Sequence, residues 1–144
     1  LFGATEERIM AFEIVDLCPM LQVFDMPTSV RFYRDVLGFE LVSNSVLRAP
    51  DEFGWCLLRY TDGTEMMLNT AYDYGERPES PEPARVAAHG DTCMYFGCPD
   101  VDGACRHLRG KGVVVDEPRI AWYGMKQLYL TDPDGFGICF QWQA

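Results

Sequence analysis

C-P-M-L-Q-V-F-D (Cys18–Asp25) leads into M-P-T-S-V-R-F-Y-R-D-V-L (residues 26–37), Gly38 and the apolar run Phe39–Val42. About half a chain later the order is written again. C-M-Y-F-G-C-P-D (Cys93–Asp100) leads into V-D-G-A-C-R-H-L-R-G-K (residues 101–111), Gly112 and Val113–Val115. In both copies a Cys lies seven residues ahead of the Asp. Strand, capped helix and strand given twice is a duplicated module, and two such modules predict a cavity between them.

Outward from the repeat, Leu17–Phe24 reads as a strand. Asp25 reads as a helix N-cap, with Pro27 tolerated in the first turn. Val30, Tyr33 and Leu37 share a helical face, reinforced by Phe32 and Val36. Gly38 offers the left-handed cap that ends the helix. Trp55–Tyr60 and Glu65–Asn69 flank Thr61-Asp62-Gly63-Thr64, a hairpin signal. Thr70–Asp91 carries Pro78, Pro81 and Pro83 with no sustained apolar period, so it reads as a linker with a helical turn at Pro83–Ala88. In the second copy Cys93–Cys98 is a strand and Asp100 a cap. Val101, Ala104, Cys105 and Leu108 form the inner helix face, and Gly110 and Gly112 end it. Val113–Val115 is a strand, and Met125–Leu130 and Phe136–Trp142 form a hairpin through Asp132-Pro133-Asp134-Gly135.

The expected fold class is therefore α+β, two βαβββ modules whose mixed sheets curve around a cavity. Residues 1–15 are an amino-terminal extension, 16–70 the first module, 71–90 the linker and 91–144 the second module. Leu1–Ile9 is set aside from the fold argument.

The 144 residues suit one domain, or two small modules sharing one core. A net charge of −10 argues against a nucleic-acid partner, which needs a basic face, and agrees with a cationic ligand. Leu17–Phe24 is far short of the roughly 20 apolar residues that span a bilayer, so no membrane partner is expected. Glu6, Glu7, Arg8 and Glu13 do not form a signal-peptide pattern, so a cytoplasmic location is expected. The six cysteines include no C-x-x-C pair and read as reduced thiols.

D-x-x-x-S-x-x-F-Y-R-D-V-L-G-F (Asp25 to Phe39), D-V-D-G-x-C-x-x-L-x-x-x-G (Asp100 to Gly112) and Y-G-M-K-Q…D-P-D-G (Tyr123 to Gly135) resemble the vicinal oxygen chelate superfamily. That group includes glyoxalase I, fosfomycin-resistance enzymes, extradiol dioxygenases and bleomycin-resistance proteins. The resemblance runs from about Leu17 to Trp142 and implies the two-module fold, a ligand cavity and a homodimer. Ala121-Trp122-Tyr123-Gly124-Met125 ahead of D-P-D-G is most similar to the bleomycin-resistance-like members, which bind a bulky cationic drug without catalysis. A fold of this kind does not fix an activity.

Metal-dependent members hold their ion with His, Gln or Glu on the first, fourth, fifth and last strands. Counted from the motifs, the resemblance puts those positions at Cys18, Glu65, Cys93 and Cys139. One carboxylate and three thiols suit neither a Lewis-acid metal nor a two-histidine iron site. No metal and no cofactor is therefore expected, a divalent or soft metal on the thiols being the alternative. Neither His89, in the linker, nor His107, in the second helix, completes a site. No catalytic residue is assigned, and the chain reads as a binding protein more readily than an enzyme. A glyoxalase- or fosfomycin-type lyase or transferase is the rival reading.

Period-two alternation sorts the strand faces. Cys18, Met20 and Gln22 oppose Leu21 and Val23; Glu65, Met67 and Asn69 oppose Met66 and Leu68. Cys93 and Tyr95 oppose Met94 and Phe96; Cys139 and Gln141 oppose Ile138 and Phe140. The apolar faces are expected to pack the helices. The mixed faces are expected to line one cavity in which the three sulfurs and Glu65 converge. The expected ligand-binding residues are Met20, Gln22, Trp55, Glu65, Met67, Tyr95, Trp122, Tyr123, Met125, Gln127 and Gln141, with Trp142 beside them. Aromatic, thioether and amide groups with one carboxylate suit a small aromatic or cationic molecule.

Overall fold

The computed structural model describes residues 11–46, 49, 51–72 and 77–144. Leu1–Ile9 and residues 73–76 of the expected linker lie outside the described residues. The first sheet holds β1 (Met20–Val23), β2 (Glu40–Asn44), β3 (Trp55–Arg59) and β4 (Glu65–Thr70), in the order β1-β4-β3-β2. The second holds β5 (Cys93–Gly97), β6 (Arg119–Ile120), β7 (Met125–Thr131) and β8 (Gly137–Gln143), in the order β5-β8-β7-β6. In each sheet the first strand runs parallel to the last and the remaining pairs are antiparallel. The α+β fold of two βαβββ modules is thus present.

Local chemistry sets the element ends. The Asp25 carboxylate accepts the Thr28 N–H at 3.1 Å and caps α1 (Met26–Val30), whose first turn contains Pro27. The helix then widens into a π-helical stretch, Arg31–Val36, where Leu37 N–H donates to Phe32 O. A 3.6-residue period does not reveal such widening. Gly38, at φ +92°, ends it. The Asp100 carboxylate caps α3 (Val101–Gly110) through Gly103 N–H at 2.8 Å. Between the modules lie α2 (Pro83–Ala88) and a short 3-10 turn, His89–Asp91.

Two expected strand assignments change. Val113–Val115 is not a strand, and its place at the sheet edge is taken by β6, with Arg119 opposite Gln127. The Arg109 guanidinium donates to Val115 O at 3.1 Å, and Val115 packs with Val101, Cys105, Leu108 and Leu128. The segment's apolar run serves the helix rather than a ladder. At the other end, Leu17 and Cys18 precede β1, because Pro19 has no N–H to give a ladder. Pro19 O still accepts Met67 N–H at 2.8 Å.

The apolar faces of both sheets feed one joined core. Leu21, Val23, Val30, Tyr33, Leu58, Met66 and Leu68 pack with Phe136 and Ile138 of the second module. Leu37, Leu130 and Phe140 touch both this cluster and the one under α3. The mixed faces are turned away from that core, and Met20, Tyr95 and Tyr129 are about half exposed.

A polar clamp joins the modules. Asp134, almost fully buried, accepts Phe24 N–H at 2.7 Å and the Ser29 hydroxyl at 3.3 Å. Arg85 of α2 bridges Asp134 at 3.2 Å and Gln22 O at 2.7 Å. Tyr33 donates its hydroxyl to Asp132 at 2.7 Å. Buried polar groups are tolerable only when paired in this way. Both histidines do related work at module boundaries. His89 Nδ1 lies 2.7 Å from Asp134 O, with its ring stacked on Phe136 at 3.9 Å. His107 Nε2 lies 2.7 Å from Val36 O.

Candidate functional site

The strand registers assemble the outward faces. On the first sheet Met20 pairs with Met67, Gln22 with Asn69, Trp55 with Asn69 and Arg59 with Glu65, so Met20, Gln22, Trp55, Glu65 and Met67 share one face. The Asn69 amide donates to Gln22 Oε1 at 3.4 Å. Glu65 is held by Arg59 at 3.2 Å, so its carboxylate is already paired.

On the second sheet Tyr95, Cys139 and Tyr129 lie abreast, as do Gly97, Gln141 and Gln127. Gln127 is buried although its face is open, and it is the hub of a hydrogen-bonded platform. Its amide donates to Tyr123 Oη at 2.8 Å and to Gln141 Oε1 at 2.9 Å. Its carbonyl accepts the Tyr129 hydroxyl at 3.2 Å. Tyr129 and Tyr95 meet edge to face with their hydroxyls 3.0 Å apart. That hydrogen bond to Tyr95 is the main reason the Tyr129 phenol stays protonated well above its ordinary range.

The Ala121–Gly124 turn, closed by Gly124 N–H donating to Ala121 O, leads into Met125, and Gly124 takes φ +87°. Tyr123 turns onto Gln127. Trp122, edge to face with Tyr123, is almost wholly exposed. Met125 is half-buried on the same strand. Trp142 pairs with Lys126 in the phase of Ile138 and Phe140, so it leaves the mixed face and lies at the seam between modules. Tyr129 was missing from the expected set, although the step of two from Met125 and Gln127 points to it.

Tyr95 reaches between the sheets. With Cys18 and Glu65 it borders a hollow of about 360 Å³. Cys93 and Cys139 do not line that hollow, and no three His, Cys, Asp or Glu among the described residues gather as a metal-binding group. The expected convergence of three sulfurs and Glu65 is therefore corrected. Part of the reason is register. Met20 and Tyr95 are equivalent in the repeat, and their partners are Met67 and Cys139; Glu65 thus corresponds to Gly137, two residues out of step.

The donor chemistry agrees. Burial pushes the Cys18, Cys93 and Cys139 thiols up, Glu65 and Asp16 adding to the effect at Cys18 and Cys93 at Cys139. Burial likewise holds Cys56 at about 11. Thiols raised in this way are poor nucleophiles. A carboxylate already paired with Arg59 and thiols that do not gather with it do not fit a Lewis-acid metal.

A pair of four-stranded βαβββ sheets with amide and aromatic side chains on open faces defines a class, and the sequence comparisons agree on it. Residues 14–140 match the model of the Glyoxalase/Bleomycin resistance protein/Dioxygenase superfamily, and the chain belongs to that superfamily. It is 31% identical over 118 residues to the uncharacterized protein YaeR of Escherichia coli, covering 79% of this chain and 84% of the relative. It is 28% identical over 125 residues to the lactoylglutathione lyase of Haemophilus influenzae, covering 84% and 87%. Among solved structures it is similar to TnmS3, an antibiotic-binding protein from Streptomyces sp. CB03234. That likeness has a TM-score of 0.68 at 23% identity and covers 94% of this chain and all of the other. At that identity the likeness concerns the fold.

Proposed function

We propose that this chain binds a small aromatic or cationic molecule directly, without a metal, on the outward faces of its sheets. The observation that carries the reading is the Gln127 platform. A buried amide fixed by Tyr123, Tyr129 and Gln141 on an open sheet face presents pre-set phenol and amide groups beside flat aromatic area. Such groups orient a ligand while the rings supply contact area. The acidic balance of the chain favours a cation. The antibiotic-binding TnmS3 shares the fold and supports a sequestering role.

Homodimerisation belongs to the same reading. Within one chain the mixed faces look outward, and a second copy laid against them would enclose the ligand. Leu17 borders the same hollow as Cys18 and Glu65, and exposed Phe12, Ile14, Val15 and Leu17 add apolar area for such a contact.

Titration with daunorubicin, a planar aromatic bearing one ammonium group, followed by calorimetry, tests the reading. Binding is expected, with Gln127→Leu weakening it about tenfold or more, the effect of a lost and unpaired polar contact. Equal affinity for the variant, or no binding, contradicts it. The rival lyase reading draws on the Haemophilus influenzae enzyme. It requires a metal held at positions occupied here by thiols and an Arg-paired glutamate.

A further inference from the structure

The repeat is broken at one seam. Residues 132–136 and residues 60–64 are equivalent hairpin loops, making Asp134 the counterpart of Asp62 and Asp132 that of Tyr60. Aligned on Asp25 and Asp100, Phe24 corresponds to Pro99, Ser29 to Ala104 and Tyr33 to Leu108. Phe24, Ser29 and Tyr33 are the donors that hold the 132–136 loop down. Pro99 has no N–H, and Ala104 and Leu108 have no hydroxyl. The 60–64 loop therefore has no donors in those positions to dock against, and its seam stands open as a cleft of about 520 Å³.

Aromatic rings form its walls. Phe39 meets Tyr60 at 5.3 Å and Phe96 at 6.1 Å, and Phe96 meets Phe140 at 5.6 Å. Tyr60 and Trp142 are exposed there by 42% and 47%. Asp62 lines the same cleft, and no Lys, Arg or His among the described residues does. One Asp62 oxygen accepts Thr64 N–H at 2.9 Å, which fixes the carboxylate on the loop.

We infer that this open seam is a second small-molecule site, separate from the Gln127 platform, and that it takes a planar aromatic cation. The rings provide faces for stacking and cation–π contact, and Asp62 provides the counter-charge. The volume suits a two- or three-ring molecule.

Nuclear magnetic resonance titration with 9-aminoacridine, a cation at neutral pH, and with neutral acridine tests it. Shifts are expected at the Asp62 and Gly97 amides and the Trp142 indole. Asp62→Asn keeps the turn acceptor and should weaken 9-aminoacridine about fivefold, as for an exposed ion pair, with less than about a twofold change for acridine. Tyr60→Ala should weaken both. The inference is overturned if shifts occur only at the Gln22, Gln127 and Gln141 side-chain amides, if neither probe binds, or if Asp62→Asn affects both equally. Shifts confined to those amides would leave the outward-face reading standing and remove this one.

Discussion

Asp134 accepts the backbone N–H of Phe24 at 2.7 Å across 110 residues of chain, and the equivalent pair at the opposite seam is Asp62 and Pro99, which has no N–H to give. One hydrogen bond is thus present on one side of the molecule and chemically impossible on the other. The closed seam fixes how the modules sit; the open one leaves a cleft.

The closed seam should govern stability. Asp134→Ala removes the carboxylate partner of the partly buried Arg85, which keeps only Gln22 O, and takes the acceptor from the Phe24 N–H and the buried Ser29 hydroxyl. A loss of about 2–4 kcal/mol is expected, in the range for breaking a buried charged pair. Urea unfolding followed by circular dichroism measures it. A loss under about 1 kcal/mol would show the clamp to be incidental.

Asp132 gives that seam a pH dependence. Burial holds its carboxyl above the ordinary 3.8 despite the hydrogen bonds from Tyr33 and the Phe136 and Asp134 amides. In the window between the ordinary and the raised value, the folded protein keeps a proton that the unfolded chain has released. Stability relative to Asp132→Asn should therefore fall as pH rises through that window and level off above it. Unfolding midpoints of both proteins across pH 4–7 test the sign, and a relative rise with pH would contradict it.

The platform should matter for binding rather than folding. Gln127→Leu leaves Tyr123 and Tyr129 able to reach water, since both are about half exposed. A stability change under about 1 kcal/mol is expected beside the tenfold loss for daunorubicin. Thermal melts run with the calorimetry separate the two. A large drop in melting temperature would make Gln127 a structural residue.

Association between copies is measurable by light scattering coupled to gel filtration. A dimer mass is expected, and Tyr95→Lys on the half-exposed mixed face should shift it toward monomer. A monomeric parent protein would remove the dimer from the proposal.

Much of the fold could be read from local chemistry. Asp25 and Asp100 cap their helices, Gly38 ends the first, and the Asp62-Gly63 and Asp134-Gly135 turns sit between paired strands. Strand alternation correctly separated Leu21, Val23, Met66 and Leu68 from Met20, Gln22 and Met67. What was not legible depends on partners distant in sequence. The β-branched run Val113–Val115 looks like a strand until α3 takes Val115 into its core. The repeat counterpart of Cys139 is set by the ladders and is Met67, so counting along the chain grouped Glu65 and Cys139 although they stand two residues out of step. Likewise, no local pattern says that Trp142 faces a seam or that Arg85 bridges Asp134 to Gln22.

The most direct test of metal-independent binding is elemental analysis of protein prepared without chelator, alongside daunorubicin affinity before and after chelation. Far less than one equivalent of Ni, Zn, Mn or Fe per chain is predicted, with affinity unchanged by the chelator. One tightly held equivalent that is lost in Cys93→Ser or Glu65→Gln, or binding that disappears on chelation, would contradict the account.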